Sequence, residues 1–479
     1  MSELEQEVQR HSIMLLASSA GITLLGFLAT IFYAHWVGAE VLGQYFLFLS
    51  YLTILSLFSD LGIGYAMTFR ICEGKDPDIY FSAGMILRLG LLVLISLALV
   101  LFGNYLIGNF RNTELFWILI FVLGLSTFTS AVSTSLGASN RLGLAASVSF
   151  IDNFVRICVQ VLAIFLGFKV YGLIGGMAAG LLVELVIDLK YLDYHLTWFD
   201  RSHIRKIFSF SSWAFLSTTC TTLFDNANLL IISYFLNLAA VGIFGICWTF
   251  SVFALFISTA LCNTLFVKVS RWKASGDVHA ITIALSRATS YALILAIPMF
   301  IGGAILGKDL LYYLYGSSFA IGATALVIII GARVIQSIYQ IYSNFLMATD
   351  HVKHQFFGLF AGIVANVILA CILVPKIGLS GAAIASVSNV FISTIICRYY
   401  LGQVIPIHIE WKIIRDIVIS AGIMTLVLVL AELLPMKQNV LTTGAMVALG
   451  AGVYFAVLFI VNSQLREDLL RIITIKWIQ

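Results

Sequence analysis

Four arginines lie inside long apolar stretches of this 479-residue chain, where a charged side chain is costly: Arg88, Arg156, Arg287 and Arg333. An arginine at the centre of a bilayer costs roughly 2.5–3.5 kcal/mol on insertion scales, so such residues usually face a protein interior or a water-filled cavity. A guanidinium presents paired donors and keeps its charge at any working pH, which suits phosphate groups. We therefore predict that these arginines bind an anionic substrate such as a pyrophosphate.

The alternative role for these arginines is ion pairing within a helix bundle. Asp152 precedes Arg156 by four positions, so the two side chains share a helix face and can pair. Arg88 and Arg333 have no acidic residue at helical spacing in their own apolar stretches. This difference favours a cavity role for Arg88 and Arg333 and leaves both roles open for Arg156.

A second polar group combines one carboxylate with three amides in apolar stretches: Asp225, Asn226, Asn366 and Asn389. Side-chain oxygens of this kind can hold Na⁺, and a carboxylate within a membrane span can carry a proton. We predict an ion-coupling role for these four residues and leave the ion, Na⁺ or H⁺, open. The alternative is that polar groups satisfy one another between helices. No other cofactor is predicted.

Motifs for catalysis or metal binding are incomplete in this sequence. Residues 302–308 match the start of a phosphate-binding loop, but Asp309 replaces the required Ser or Thr, so no ATPase is predicted. His351 and His354 have no further ligands at metal-site spacing, and the cysteines are scattered singly, so no metal site is predicted. No catalytic residue is assigned, and the chain is predicted not to be an enzyme.

The elements that position these residues are membrane helices. Only 10% of the residues are charged, 61% are hydrophobic, and long apolar runs recur from end to end. Runs of roughly twenty apolar residues cross a bilayer as helices, and about fourteen such runs are present. They lie near residues 13–36, 45–69, 80–102, 115–136, 144–167, 171–194, 211–235, 241–267, 281–306, 321–346, 356–374, 378–401, 413–434 and 440–461. Pro298 should kink the ninth helix.

Loop charges predict the orientation. Most Lys and Arg residues fall on the side of the N-terminus, and the other side holds only Arg111, Lys169, Lys308, Lys376 and Lys437. By the positive-inside rule both termini are then cytoplasmic, and a multi-pass protein of the cell membrane (plasma or inner membrane) is predicted. The net charge of +4 is small and sits in short loops, so no nucleic-acid partner is predicted.

Two halves of the sequence resemble each other. Residues 171–180 and 377–386 share a glycine-rich helix start, and residues 41–45 resemble residues 240–244. Matches in the same order, about two hundred residues apart, favour a duplicated unit. We predict an all-α polytopic membrane protein with two six-helix lobes related as parallel repeats, plus two C-terminal helices.

This duplication predicts four regions along the chain. Residues 1–195 form the N-terminal lobe, 196–210 an amphipathic cytoplasmic linker and 211–402 the C-terminal lobe. Residues 403–479 contain the two additional helices and an interfacial C-terminal helix.

Several stretches carry a resemblance to a known family. They are residues 37–45, residues 59–63 (Ser-Asp-Leu-Gly-Ile), residues 309–319 and residues 366–385. In order, they resemble polysaccharide-exporter flippases of the multidrug/oligosaccharidyl-lipid/polysaccharide exporter superfamily, the group that contains O-antigen flippases. The resemblance implies twelve core helices around a central cavity and transfer of a polyprenyl-linked glycan to the outer leaflet. In related peptidoglycan-precursor flippases, cationic residues of helix 1 line the cavity; here helix 1 has no Lys or Arg, so the four arginines within the apolar stretches would take that role.

The resulting hypothesis is a flippase that moves polyprenyl-(pyro)phosphate-linked oligosaccharide by alternating access. Its predicted partners are the lipid-linked glycan, the bilayer, and glycosyltransferases or a polymerase of the same pathway. One alternative is an ion-coupled drug or metabolite antiporter of the same superfamily. Another is a membrane glycan ligase or polymerase, which would need a large outer loop that this sequence lacks.

Overall fold

The computed structural model describes residues 3–74, 76–106, 113–138, 142–433, 439–462 and 465–466, and these residues form helices and connecting loops. By its contacts the chain divides into two compact units, Met1–Gly242 and Ile243–Gln479. The first unit contains α1 (Glu3–Asp60), α2 (Ile63–Cys72), α3 (Pro77–Leu106), α4 (Thr113–Ala138), α5 (Leu142–Phe165), α6 (Lys169–Tyr191), α7 (Arg201–Phe235) and the start of α8 (Leu238–Ser251). The second contains α9 (Phe256–Ala274), α10 (Val278–Tyr291), α11 (Leu293–Tyr315), α12 (Ala323–Ala348), α13 (Val352–Ile377), α14 (Leu379–Val404), α15 (Trp411–Glu432) and α16 (Val440–Val461).

Most of these helices are membrane spans by length and composition. Among the described residues, 12 stretches are long and apolar enough to cross a bilayer. The first, Gly21–Asp60, contains a kink at Gly38 (φ 77°, ψ 175°), which separates the first two predicted spans. The seventh predicted span lies within α7, which begins at Arg201 and has several side chains outside the described residues. The predicted all-α, multi-pass membrane protein is confirmed.

The four predicted regions remain predictions. The division at Gly242 follows contacts within the chain and was not expected from the repeat. Residues 192–200 have no regular structure, and α7 then starts inside the expected linker and continues to Phe235. The expected interfacial helix at 465–479 lies almost entirely outside the described residues.

Helices α5 and α6 pack closely because α6 presents small residues at four-residue spacing. A Cβ atom at Gly172 would meet Ala163 of α5, and one at Gly180 would meet Asp152 of α5. Gly176 lies between them on the same face of α6 and meets α5 as well. Small residues at this spacing let two membrane helices approach backbone to backbone. The glycine-rich helix start of the first half thus brings the polar face of α5 against α6.

Two glycines that the repeat places at matching positions pack against each other. A Cβ atom at Gly43 would overlap the carbonyl oxygen of Leu238, and one at Gly242 would overlap the carbonyl oxygen of Ala39. Each glycine therefore meets the residue that precedes the other by one helical turn. The contact joins the second half of α1 to the start of α8, within the first unit.

The second predicted span is interrupted after Asp60. Leu61 (φ 44°) and Gly62 (φ 74°) both lie in the left-handed region, and α2 begins at Ile63. A leucine in this region is strained, since its Cβ crowds the backbone. The carboxylate of Asp60 turns back over the interruption and accepts a hydrogen bond of 3.1 Å from the backbone N–H of Gly64.

In the second unit the ninth predicted span is interrupted at Ala292, between α10 and α11. Pro298, where the sequence predicts a kink, lies farther along, inside α11. Helices α15 and α16 pack against α11 through a buried cluster that includes Leu306, Met424 and Tyr454.

Candidate functional site

Arg88 of α3 is buried against the interruption of the second span. Its guanidinium pairs through Nη2 with Oδ1 of Asp60 and lies against Gly64, where a Cβ atom would collide with it. The side chain of Arg88 is 4% exposed, whereas that of Asp60 is 35% exposed. Nε and Nη1 of Arg88 have no hydrogen-bond partner among the described residues. The sequence offers no acidic partner for Arg88 on its own helix, and Asp60 comes from a different helix, α1.

Arg156 of α5 is half-buried and connects to Asp152 through a third residue. Its Nη2 donates a hydrogen bond to Oδ1 of Asn153. The amide of Asn153 in turn donates to Oδ2 of Asp152 at 3.4 Å and to the carbonyl of Ser149 at 2.8 Å. The predicted association of Arg156 with Asp152 thus runs through Asn153, which accepts from one amino group of the guanidinium.

Gln160, one turn beyond Arg156, is a buried hydrogen-bonding centre that the sequence did not single out. Its Oε1 accepts from the hydroxyl of Tyr33 at 2.7 Å. Its Nε2 donates to the hydroxyl of Tyr45 at 3.1 Å and to the carbonyl of Leu173 at 2.6 Å. These bonds tie α5 to both halves of α1 and to α6. The network gives the neighbourhood of Arg156 a fixed polar wall.

Acidic side chains of α6 lie beside this wall. Glu184 is within electrostatic range of both Asp152 and Asp188. Asp188 is fully buried, and the side chain of Ser133 interacts with the carboxyl groups of both Asp188 and Glu184. The first unit therefore contains a set of acids near Arg156, of which the sequence weighed only Asp152 as a partner.

Arg333 of α12 is buried in the second unit, with 2% of its surface exposed. Its guanidinium carbon lies 3.9 Å from the ring centroid of Trp248, a cation–π contact. Nε donates to the hydroxyl of Ser251 at 2.9 Å, and Nη1 donates to Oε1 of Gln336 at 2.5 Å. The guanidinium of Arg333 is thus contacted by α8 and by its own helix. Trp248 and Ser251, which the sequence did not single out, position this predicted site residue.

Arg287 of α10 has a looser environment. Its side chain is 45% exposed, and its Nε lies 3.8 Å from Oε1 of Glu410, which directly precedes α15. Arg287 and Arg333 therefore have different partners within the second unit. Likewise, Arg88 and Arg156 belong to separate clusters within the first unit.

The predicted ion-coupling residues are divided between the two units. In the first unit Asp225 is exposed, and the amide of Asn226 donates to the carbonyl of Thr222 on its own helix. In the second unit Asn366 and Asn389 are each 1% exposed.

Asn366 and Asn389 lie on the packed pair α13 and α14. Ser393 donates to Oδ1 of Asn389 at 3.2 Å, and Gly362, one turn before Asn366, lies against Asn389. Both polar atoms of Asn366 and Nδ2 of Asn389 have no hydrogen-bond partner among the described residues. Within the predicted ion site, these two buried amides are the groups that have polar atoms without a hydrogen-bond partner among the described residues.

Metal-ligand clusters are absent from the part of the chain that the structure describes: no group of three or more His, Cys, Asp or Glu side chains there could hold a metal ion. The ring of His351 lies 5.7 Å from that of His354, which lies 4.2 Å from the ring of Tyr400. These histidines pack as rings within the second unit.

Comparison with known proteins places the chain in a family. The sequence profile described as "Polysaccharide biosynthesis protein" matches residues 36–321. The chain belongs to this polysaccharide biosynthesis family. The match covers the arginines Arg88, Arg156 and Arg287 and ends before Arg333.

Two relatives of this chain come from Haloferax volcanii. One, named probable low-salt glycan biosynthesis flippase Agl15, is 26% identical over 452 residues. The alignment covers 94% of the present chain and 94% of the relative. The other, named probable flippase AglR, is 24% identical over 478 residues, with 96% of the present chain and 97% of the relative covered.

Solved structures share the fold of this family member. The lipid II flippase MurJ in an inward closed conformation matches with a TM-score of 0.78 at 16% identity, covering 96% of the present chain and 100% of MurJ. An inward-facing multidrug resistance MATE family transporter of the MOP superfamily matches with a TM-score of 0.62 at 16% identity, covering 80% and 95%. These likenesses show that the chain shares its fold with MurJ and with the MATE transporter.

Proposed function

We propose that this protein is a flippase that moves a polyprenyl-(pyro)phosphate-linked oligosaccharide from the cytoplasmic to the outer leaflet. The observation that carries the proposal is the similarity, over nearly the whole chain, to Haloferax proteins named as flippases, one of them in glycan biosynthesis. The family description, polysaccharide biosynthesis, agrees with such a substrate. The reaction is transport, so no catalytic residue is needed.

Arginine chemistry supports an anionic headgroup. Arg88 and Arg333 are buried inside membrane spans. The guanidinium of Arg88 contacts Asp60 and that of Arg333 contacts Ser251, so both charges lie against polar side chains and not against lipid. Arg156 and Arg287 are more accessible and can contact the phosphates and first sugars directly. The lipid tail remains in the bilayer while the headgroup crosses by alternating access.

Localisation and partners follow from the same function. We place the protein in the cell membrane with both termini in the cytoplasm, because that orientation puts most Lys and Arg residues inside. The proposed protein partners are the glycosyltransferases or the polymerase of the same pathway.

An ion gradient or the membrane potential is the proposed driving force, worth about 2.3 kcal/mol per charge per 100 mV. The coupling residues are Asp225, Asn226, Asn366 and Asn389. The amides of Asn366 and Asn389 support this assignment, since they are buried with unused polar atoms among the described residues.

Transport in liposomes tests the proposal. Purified protein is reconstituted with a fluorescent polyprenyl-pyrophosphate-linked oligosaccharide, and its arrival in the outer leaflet is followed by quenching under H⁺, Na⁺ or potential gradients. We expect gradient-dependent transfer that Arg156→Gln reduces and that Arg271→Gln, at an exposed arginine in the last turn of α9, leaves unchanged. No transfer under any gradient would refute the flippase.

A second candidate, export of cationic compounds, is favoured by the acids of the first unit. Asp152, Glu184 and Asp188 lie near one another, and such a group would attract a cation. Resistance to cationic drugs on overexpression, together with normal surface glycans when the gene is deleted, would select this antiporter over the flippase.

A further inference from the structure

The interruption of the second span brings together two groups that bind oxyanions. The backbone N–H of Gly64 at the start of α2 and Nη2 of Arg88 both point at Oδ1 of Asp60. A helix N-terminus and a guanidinium are each groups that bind anions, and oxyanions take charge-assisted hydrogen bonds from both. In this structure the bound oxyanion is the protein's own carboxylate.

Arg88 has more donors than Asp60 uses. A guanidinium carries five N–H donors, and buried donors are normally paired. Here Nε and Nη1 of Arg88, on a side chain that is 4% exposed, have no hydrogen-bond partner among the described residues. A phosphate group has more acceptor oxygens than a carboxylate and can reach several of these donors at once.

The geometry also gives a ligand a way in. Asp60 is 35% exposed while Arg88 beneath it is buried, so the carboxylate covers the guanidinium from the accessible side. Gly64 leaves the space that this arrangement needs, because a Cβ atom there would collide with the guanidinium. A ligand that reaches Arg88 must therefore displace Asp60.

We propose that Asp60 is an internal counter-ion that occupies the phosphate site of Arg88 and Gly64 in the empty transporter, and that a phosphate of the substrate displaces it. The identity of that phosphate as part of a lipid-linked glycan rests on the proposed function. When the phosphate leaves, Asp60 returns to the site, so Arg88 is never buried without an anion. The rival role for the pair is a permanent brace for the chain at Leu61 and Gly62.

The two roles differ in what happens when the carboxylate loses its charge. A counter-ion competes with the ligand, so the apparent affinity for phosphate is reduced by the fraction of time in which the site is free. If Asp60 occupies the site more than nine-tenths of the time, Asp60→Asn should bind phosphate at least about tenfold more tightly. Asparagine keeps an Oδ1 atom that can accept from the backbone N–H of Gly64, so the start of α2 is kept. A brace predicts a less stable protein and no gain in affinity.

The experiment measures binding of inorganic pyrophosphate to the full-length protein in nanodiscs of zwitterionic lipid, by calorimetry and by thermal stabilisation. Asp60→Asn should bind at least about tenfold more tightly than wild type, and Arg88→Gln should lose this binding in both backgrounds. Asp60→Ser, which also keeps a capping oxygen, repeats the test should the asparagine variant melt early. Glu73→Gln, at an acid that is 38% exposed and pairs with Arg70, is the matched control and should bind as wild type does.

Equal affinity of wild type and both Asp60 variants, or unchanged binding by Arg88→Gln, would overturn the inference. Nanodiscs with anionic phospholipid separate a substrate phosphate from an ordinary headgroup: loss of pyrophosphate binding there would overturn the substrate assignment. The binding assay is independent of the liposome assay. Tighter binding by Asp60→Asn without any glycan transfer would leave the counter-ion standing and refute the flippase.

Discussion

The hydroxyl of Tyr454 in α16 donates a hydrogen bond of 2.7 Å to the backbone carbonyl of Ile294 in α11. In a regular helix that carbonyl would accept from the residue four positions later, which is Pro298 and has no N–H. The side chain of Tyr454 is fully buried, so water cannot take its place. One of the two C-terminal helices thus completes the hydrogen bonding of α11 at its proline.

Removing that hydroxyl should destabilise the second unit. Tyr454→Phe leaves the carbonyl of Ile294 buried without a donor, and a buried unsatisfied group costs about 1–3 kcal/mol. Chemical unfolding in detergent, read as the change in the free energy of unfolding, measures this loss. The control is Tyr399→Phe, at a tyrosine that is 64% exposed, which should change stability little.

Restoring a donor within α11 should rescue the variant. Pro298→Ala supplies an N–H to the carbonyl of Ile294, so Tyr454→Phe should cost less in that background than in wild type. The four unfolding free energies form a double-mutant cycle whose interaction energy we expect to be about 1 kcal/mol or more. An additive cycle would show that the hydrogen bond does not compensate for the proline.

Alanine at Gly43 should be strongly destabilising. Its Cβ atom would overlap the carbonyl oxygen of Leu238, so the backbones of α1 and α8 would have to separate. We expect a lower melting temperature, as for overpacking costs of about 1–3 kcal/mol. Gly26→Ala is the matched control on α1, since a Cβ atom there meets nothing within 4 Å and alanine favours the helix. Equal melting temperatures for the two variants would contradict the close contact.

Replacing Gln160 with methionine should be among the costlier single changes in the first unit. The substitution keeps the length of the side chain and removes all three bonds, to Tyr33, to Tyr45 and to the carbonyl of Leu173. We expect a loss of about 3 kcal/mol in the free energy of unfolding. Gln403→Met, at an exposed glutamine near the end of α14, should have little effect. A loss below that of the control would mean that the network is not what holds α1 to α5.

The contact of Arg333 with Trp248 should be measurable as a coupling energy. A desolvated cation–π pair contributes about 2 kcal/mol, and a double-mutant cycle of Arg333→Met with Trp248→Leu isolates that contribution from the rest of the network. Arg333→Met alone should lower both stability and glycan transfer, because the charge is buried and polar-bonded. Transfer at the wild-type rate by a folded Arg333→Met protein would remove Arg333 from the site.

Sequence alone predicts the spans because length and apolarity decide them. It also singles out the four arginines within spans, of which Arg88 and Arg333 are buried, since any charge within a span stands out. The partner of Arg88 could not be predicted, because spacing rules concern one helix and Asp60 comes from another. The interruption at Leu61 depends on Asp60 capping the next helix, a contact that sequence spacing does not reveal.

Some residues of the site stand out in the sequence as polar or aromatic side chains within spans, although arguments from residue spacing do not find them. Trp248 lies in the middle of a predicted span, away from the ends where tryptophans collect, and its partner is a buried charge. Gln160 is a polar residue within an apolar span, as Asp188 is, and polar groups in such places usually have a structural or functional reason. A search for isolated polar and aromatic residues in mid-span would have found all three, but not their partners.

The reciprocal contact of Gly43 and Gly242 has the form of an isologous interface, in which the same patch meets itself across a two-fold axis. If the predicted repeat arose by duplication, a single glycine of a half-length ancestor would have supplied both sides of this contact in a dimer. Each glycine faces the other's backbone, so neither could accept a side chain without losing the contact that its counterpart makes.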